Sequence, residues 1–265
     1  MAFVQKIKLA LFRSFPGPYK KQLFRQNRLS TEFRLLGTLL KQQPWTFLDV
    51  GANKGEFLYV AEQVLPASRI YAFEPLPWFG KKLKALFKNV TVFNFALSNI
   101  ASRAILYMPV AAGVPDDSLA SVIKPQNGDF IEYGIELKTL DQVAGEQKII
   151  GPAFLKIDVE GHEFQVLEGA KDFIRSRVKA MLIEIEERHH AGRTLQQMIP
   201  EVEVLGFDCY YLHPQKKQLL AFSQWPEVLQ KKEDLNTDRY VNNFWFFAKQ
   251  SNPGSVITGL NQSIA

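Results

Sequence analysis

The stretch FLDVGANKG, residues 47–55, restricts the fold of this chain more than any other. An apolar run ends in Asp49, glycines follow at 51 and 55, and the amphipathic segment EFLYVAEQVL comes next. This order reads as a buried strand turning into a helix. Gly51 lets the backbone approach a ligand, and Gly55 lets the helix pack near the strand. The start of that helix adds a local positive potential. Sheets built from such units bind their ligands at the carboxyl ends of the strands, near the point where strand order reverses.

The alternation continues. RIYAFEP predicts a second strand ending at Glu74. Pro77 opens a helix with Phe79, Leu83, Leu86 and Phe87 at helical spacing and Lys81, Lys82, Lys84 and Lys88 on the wet side. NVTVFNFAL predicts a third strand. Residues 98–140 depart from the alternation and read as an inserted hairpin, with the loop segment DDSLAS at 116–121. AFLKIDVEG predicts the fourth strand, followed by a helix over about 161–168 and the strand VKAMLIEIE. A helix over about 193–200 then leads to FDCYYL, and QLLAFS with RYVNNFWFFAK closes the sheet. The expected fold is α/β and doubly wound, with a mostly parallel sheet covered by helices on both faces.

A length of 265 residues at 46% hydrophobic content supports one large core. The expected division is an N-terminal basic helical arm over 1–44, a main domain over 45–250, and a polar tail over 251–265 that frays. Seven basic residues and no acid lie in residues 1–30, more than the whole chain's net charge of +5. The body is therefore close to neutral, which argues against a nucleic-acid surface. MAFVQKIKLALFRSF can be drawn as an amphipathic helix that either caps the body or makes a peripheral membrane contact through residues 1–28. The single cysteine, Cys209, excludes an internal disulfide and suits a reducing compartment. The expected location is the cytoplasm, or the inner membrane surface if the arm binds there.

The strand ends supply the candidate site. An acid about 20 residues after the first glycine turn can accept from both hydroxyls of a ribose, which is the reading of Glu74. The spacing at 51–55 is G-x-x-x-G, so the middle glycine that meets a pyrophosphate is missing. That favours S-adenosylmethionine over NAD, and Asp49 and Asp158 are placed to accept from its amine. KIDVEGHE, 156–163, gathers Asp158, Glu160 and Glu163, which are costly to bring together unless a cation offsets them. Glu163 also reads as a first-turn helix acid. EIEERHH brings Glu184, Glu186, His189 and His190 to the same rim, where the two histidines also read as a solvated pair.

Together, FLDVGANKG, YAFEPLP, FNFALSN, LKTLDQV, LKIDVEGHEFQVLEGA and LIEIE resemble FkbM-type S-adenosylmethionine-dependent methyltransferases, over roughly residues 46–187. The resemblance implies a seven-stranded sheet with the last strand antiparallel. It also implies O-methylation of a sugar, glycan or natural-product acceptor. By motif, Asp49, Gly51, Asn53 and Gly55 would line the methionine end and Glu74 would hold the ribose. Ala96, Leu97 and Ser98 would flank the adenine, and Asp158 would lie beside the sulfonium and amine. Two routes for the acceptor proton fit the residues. His162 or His189 takes it as a base, or Asp158, Glu160 and Glu184 hold a divalent metal that lowers the hydroxyl pKa.

Overall fold

Strand β1, Thr46–Val50, is buried along its whole length and is an internal strand of the main sheet. The computed structural model describes residues 19–20, 22–23, 30–111, 113–235, 237 and 239–264. The amphipathic helix and membrane contact expected of residues 1–28 fall outside that set, apart from Tyr19, Lys20, Gln22 and Leu23. Helix α1, Thr31–Leu40, precedes β1, and Ser30 caps it by accepting from the Phe33 N–H. After β1 come α2, Glu56–Glu62, β2, Ile70–Phe73, α3, Pro77–Leu86, and β3, Thr91–Phe93. An insertion follows: β4, Ala96–Leu97, β5, Ser102–Ala111, β6, Val114–Pro115, and β7, Asp129–Lys138.

The chain then returns through α4, Leu140–Glu146, β8, Ala153–Ile157, α5, Glu163–Glu168, α6, Lys171–Arg177, and β9, Val178–Glu184. It ends with α7, Leu195–Glu203, β10, Phe207–His213, β11, Gln218–Ala221, β12, Asn243–Ala248, and α8, Pro253–Ile264. The main sheet has eight strands in the order β11-β10-β12-β9-β8-β1-β2-β3. From β9 to β3 the pairings are parallel, whereas β12 with β9, β10 with β12 and β10 with β11 are antiparallel. Alternate residues feed two cores. Phe47, Phe154, Leu182 and Trp245 face α1, α2, α3 and α8, while Leu48, Leu155, Ile183 and Phe246 face α4 to α7. No described helix is long and apolar enough to cross a membrane.

Four expectations need correction. The sheet is mixed and has eight strands rather than seven, because the turn after β10 folds QLLA back as an added edge strand. NVTVFNFAL is not one strand, because Asn94 interrupts it. The Asn94 amide donates to the Glu74 carbonyl at 3.2 Å, leaving β3 in the main sheet and sending β4 to pair with β7. The inserted hairpin is a second sheet of four strands, β4-β7-β5-β6. The tail does not fray. Ile257 and Leu260 of α8 are buried, and Asn261 exchanges two hydrogen bonds with the backbone of Leu219 at 2.7 and 3.1 Å. That contact satisfies the outer edge of the sheet, which gives the tail a partner that its polar composition does not suggest.

Strand order reverses between β1 and β8. The turns after these two strands touch: a Cβ on Gly51, at φ +78°, would lie 1.8 Å from the Asp158 carbonyl oxygen. Only glycine satisfies both that conformation and that approach. Gly55 has a different task, since a Cβ there would meet Phe87 and Leu83 of the neighbouring helical segment at 2.6 and 2.8 Å.

Candidate active site

A cavity of about 500 Å³ opens at the carboxyl ends of β1, β2 and β8. Gly51, Asn53, Glu74, Ala96, Leu97, Asp158, Glu160 and His162 line it, as do Leu106 and residues 114–118 of the inserted sheet. Asp49, Gly55, Ser98, Glu184 and His189 are not among its lining residues. The insertion is fastened over the cavity on both sides. Lys54 Nζ meets Asp117 Oδ1 at 2.8 Å, Asn53 Nδ2 donates to the Asp117 carbonyl at 3.2 Å, and Ser121 Oγ donates to the Glu160 carbonyl at 2.6 Å.

Glu74 is buried at the end of β2. Its Oε2 accepts the Asn53 N–H at 2.8 Å and its Oε1 accepts the Leu76 N–H at 2.8 Å. Each carboxylate oxygen retains a further acceptor position, so the group is oriented without being saturated. Burial pushes its carboxyl up to about 7, against those two hydrogen bonds and the charge of Lys156.

At the cavity wall, the buried Lys156 joins three partners. Its Nζ lies 3.3 Å from Asp49 Oδ1 and 3.2 Å from Asp158 Oδ2, and it donates to the Gly51 carbonyl at 3.1 Å. Asp49 is fully buried, and the lysine contact leaves both of its oxygens without a well-formed hydrogen bond. Burial raises the Asp49 pKa, and the charge of Lys156 opposes that rise. Asp49 therefore acts indirectly, holding the lysine that positions Asp158, while Asp158 faces the cavity.

Asp158, Glu160 and Glu184 each offer an oxygen, and these atoms lie within 4.8 Å of one another. Burial, then the charge of Asp158, pushes the Glu160 carboxyl up to about 9, and the same two causes raise Glu184 well above its ordinary value. Glu186 behaves oppositely. Burial alone would raise it, but hydrogen bonds from Arg188, Glu184 and Tyr240 hold it near 2. Three carboxylates this close invite a cation, whether the charged part of an organic ligand or a divalent ion.

The cluster sets a pH dependence. Between the ordinary carboxylate range and about 9, Glu160 is protonated in the folded chain and ionised in the unfolded one. The folded chain then binds more protons, so stability falls as pH rises through that window. Glu160→Gln is expected to flatten the loss of Tm between about pH 5 and 9 and to raise Tm at pH 8 by a few degrees. Thermal unfolding of the ligand-free protein across that range is the check. An unchanged pH slope would mean that Glu160 ionises freely in the fold.

The histidines separate. His162 Nε2 lies 2.9 Å from Ser98 Oγ, so His162 stands with the Ala96–Ser98 segment and not in the carboxylate cluster. His189 Nε2 lies 3.4 Å from Glu160 Oε2 and does not line the cavity. The expected solvated pair is not observed. His190 is buried, meets Glu163 Oε2 at 3.1 Å and packs edge-on against Phe164. The other oxygen of Glu163 accepts the Gly161 N–H at 2.9 Å, so this acid braces the 158–162 turn. Glu32 of α1 lines a separate cavity but feels the charges of Lys156 and Asp158, a coupling that the sequence reading missed. Asn243 Nδ2 donates to Glu32 at 3.3 Å, and burial raises its carboxyl to about 7, with Lys156 opposing and Asp158 adding. In the sequence Glu32 is simply a first-turn acid, so no local signal marks it.

Comparison with known proteins completes the site's context. A family model described as the Methyltransferase FkbM domain matches residues 49–209. The chain is 28% identical over 187 residues to the 31-O-demethyl-FK506 methyltransferase FkbM of Streptomyces tacrolimicus, covering 60% of this chain and 71% of that protein. It is 30% identical over 185 residues to the AMB antimetabolite synthetase AmbE of Pseudomonas aeruginosa, covering 55% of this chain and 9% of that one. Among solved structures, methyltransferase FkbM from Methylobacillus flagellatus KT aligns with a TM-score of 0.45 at 15% identity, over 77% of this chain and 43% of that chain. The chain thus spans a small part of the synthetase and less than half of the solved structure.

Proposed function

This chain belongs to the FkbM methyltransferase family, and from that premise we propose that it moves the methyl group of S-adenosylmethionine to a hydroxyl of a sugar, glycan or natural-product acceptor. The observation that carries the cofactor assignment is the meeting of Gly51, Asn53, Glu74, Leu97 and Asp158 around one cavity at the switch point. Its volume of about 500 Å³ falls in the range of small-ligand pockets. The donor set also fits. Buried carboxylates whose pKa values are raised by desolvation and mutual repulsion suit a ligand carrying a sulfonium and an ammonium. The relative named for 31-O-demethyl-FK506, an acceptor named for a missing O-methyl group, supports oxygen as the methylated atom.

S-adenosylmethionine supplies an electrophilic methyl carbon on a good leaving group. The protein's part is to align the acceptor oxygen and take its proton. Glu74 receives the ribose hydroxyls on the acceptor positions left by Asn53 and Leu76. Asp158, steadied by Lys156, faces the positive end of the ligand. The inserted sheet shields the reacting atoms from water, held down at Lys54, Asn53 and Glu160. The contact between His162 and Ser98 ties that ring to the Ala96–Ser98 segment, which favours Asp158, facing the cavity, over His162 as the group at the reacting oxygen. Asp158, Glu160 and Glu184 are also the residues that could hold a divalent ion.

Thermal-shift titration tests this directly. S-adenosylhomocysteine at about 100 times its Kd is expected to add roughly 2.7 kcal/mol of stability, while NAD leaves the transition in place. A further shift when magnesium replaces EDTA would favour a metal in the carboxylate cluster. Stabilisation by NAD alone, or by neither nucleotide, would remove the cofactor assignment.

A further inference from the structure

At the Ala96–Leu97 end of the cavity, a chain of polar side chains controls one lone pair. Ser98 is buried and its backbone is pinned. Its N–H donates to the Lys138 carbonyl at 2.8 Å, and its own carbonyl oxygen lies 1.9 Å from where a Cβ on Gly169 would stand. Ser98 Oγ is 2.9 Å from His162 Nε2 and 3.2 Å from Asn99 Oδ1. Asn99 Nδ2 in turn donates to Glu168 Oε2 at 2.9 Å.

The proton positions follow from what each group can do. An ionised carboxylate only accepts, so Asn99 turns its NH₂ toward Glu168 and its Oδ1 toward Ser98. Oδ1 also only accepts, so the Ser98 hydroxyl proton points at it. The Ser98 oxygen is left to accept from His162, which places the imidazole proton on Nε2. At the pH 8 of the test below a histidine ring is neutral and has a single N–H. Nδ1 therefore carries a lone pair, and no described residue is seen to hydrogen-bond it. His162 lines the cavity, as Ala96 and Leu97 do, and its Nε2 contact with Ser98 ties it to that segment.

We propose that His162 Nδ1 accepts a hydrogen bond from the exocyclic amine of the cofactor's adenine, and that Ser98, Asn99 and Glu168 hold the tautomer that distinguishes adenine from a 6-oxopurine. This rests on the S-adenosylmethionine reading and adds a specificity device to it. In a 6-oxopurine the amine is replaced by a carbonyl oxygen, which would face the Nδ1 lone pair. Binding it would require the proton to move to Nδ1. Nε2 would then have to accept from Ser98, and Ser98 would leave Asn99 Oδ1 unpaired. A site built for a donor rejects an acceptor because its polar groups lose their partners.

The test is calorimetric titration of S-adenosylhomocysteine and S-inosylhomocysteine at pH 8. The parent protein is expected to bind the adenosyl compound about 10²-fold more tightly. Ser98→Ala is expected to narrow that ratio to less than about tenfold while changing adenosyl affinity far less. Asn99→Ala gives the same readout at an exposed position, where the fold is not at risk. Equal affinity of the parent for both compounds overturns the proposal, and so does an undiminished ratio in both variants. Binding of neither compound overturns the cofactor reading itself, and this proposal with it.

Discussion

Lys156→Met is expected to destabilise the protein by about 3–5 kcal/mol, which would lower Tm by roughly ten degrees or more. The side chain it replaces is almost completely buried and touches Asp49, Asp158 and the Gly51 carbonyl. Methionine fills much of the same volume, so packing is not the main loss. The loss is electrostatic. Asp49, fully buried on β1, would either stay a desolvated anion or take up a proton against its ordinary titration, and Asp158 would lose the cation it shares with Asp49. Breaking one member of a buried pair costs more than the pair itself contributes, because the remaining charge stays desolvated. Denaturant unfolding at neutral pH measures the effect. Adding Asp49→Asn to the variant should recover part of the loss, since the stranded charge is then gone. If Lys156→Met unfolds within about 1 kcal/mol of the parent, Asp49 is not held as an anion and the strut has been misread.

Asp158→Ala is expected to cut function sharply while leaving the stability of the ligand-free protein nearly unchanged. Asp158 faces the cavity and lies within the carboxylate group formed with Glu160 and Glu184. Its removal should cut turnover and S-adenosylhomocysteine affinity by about 10²-fold or more, because the ligand's positive end loses the charge that faces it. The same removal relieves repulsion that raises both neighbouring carboxyls. The ligand-free variant should therefore keep a Tm close to that of the parent. Wild-type-like activity in folded Asp158→Ala would falsify the site assignment. A large drop in Tm would instead mark Asp158 as a structural anchor for Lys156.

Much of the fold was legible in the sequence, because strands in a two-sided sheet are continuous apolar runs and helices carry a 3.6-residue stripe. Thr46–Val50, Pro77–Leu86 and Val178–Glu184 fall within the segments predicted for them. The misreadings have one kind of cause. Asn94 breaks a good strand pattern through a long-range bond to the Glu74 carbonyl, and α8 is ordered by the unpaired edge of β11. Neither partner is visible from the local segment. Short helices such as Leu140–Glu146 were missed because two turns give too little periodicity to recognise.

The candidate site divides along the same line. The sequence by itself determined which chemistry was available: glycines at 51 and 55, an acid at 74, and carboxylates crowding the ends of β8 and β9. These lie at strand ends, and the rule that such sheets bind there depends on chain direction, which sequence encodes. Tertiary structure alone decided what each group does. It placed Asp49 beside Lys156, sent His162 to Ser98, buried His190 on Glu163 and set Glu32 of α1 where it feels the charge of Lys156. Those roles depend on burial and on partners dozens of residues away, and both arise only when the sheet closes around them.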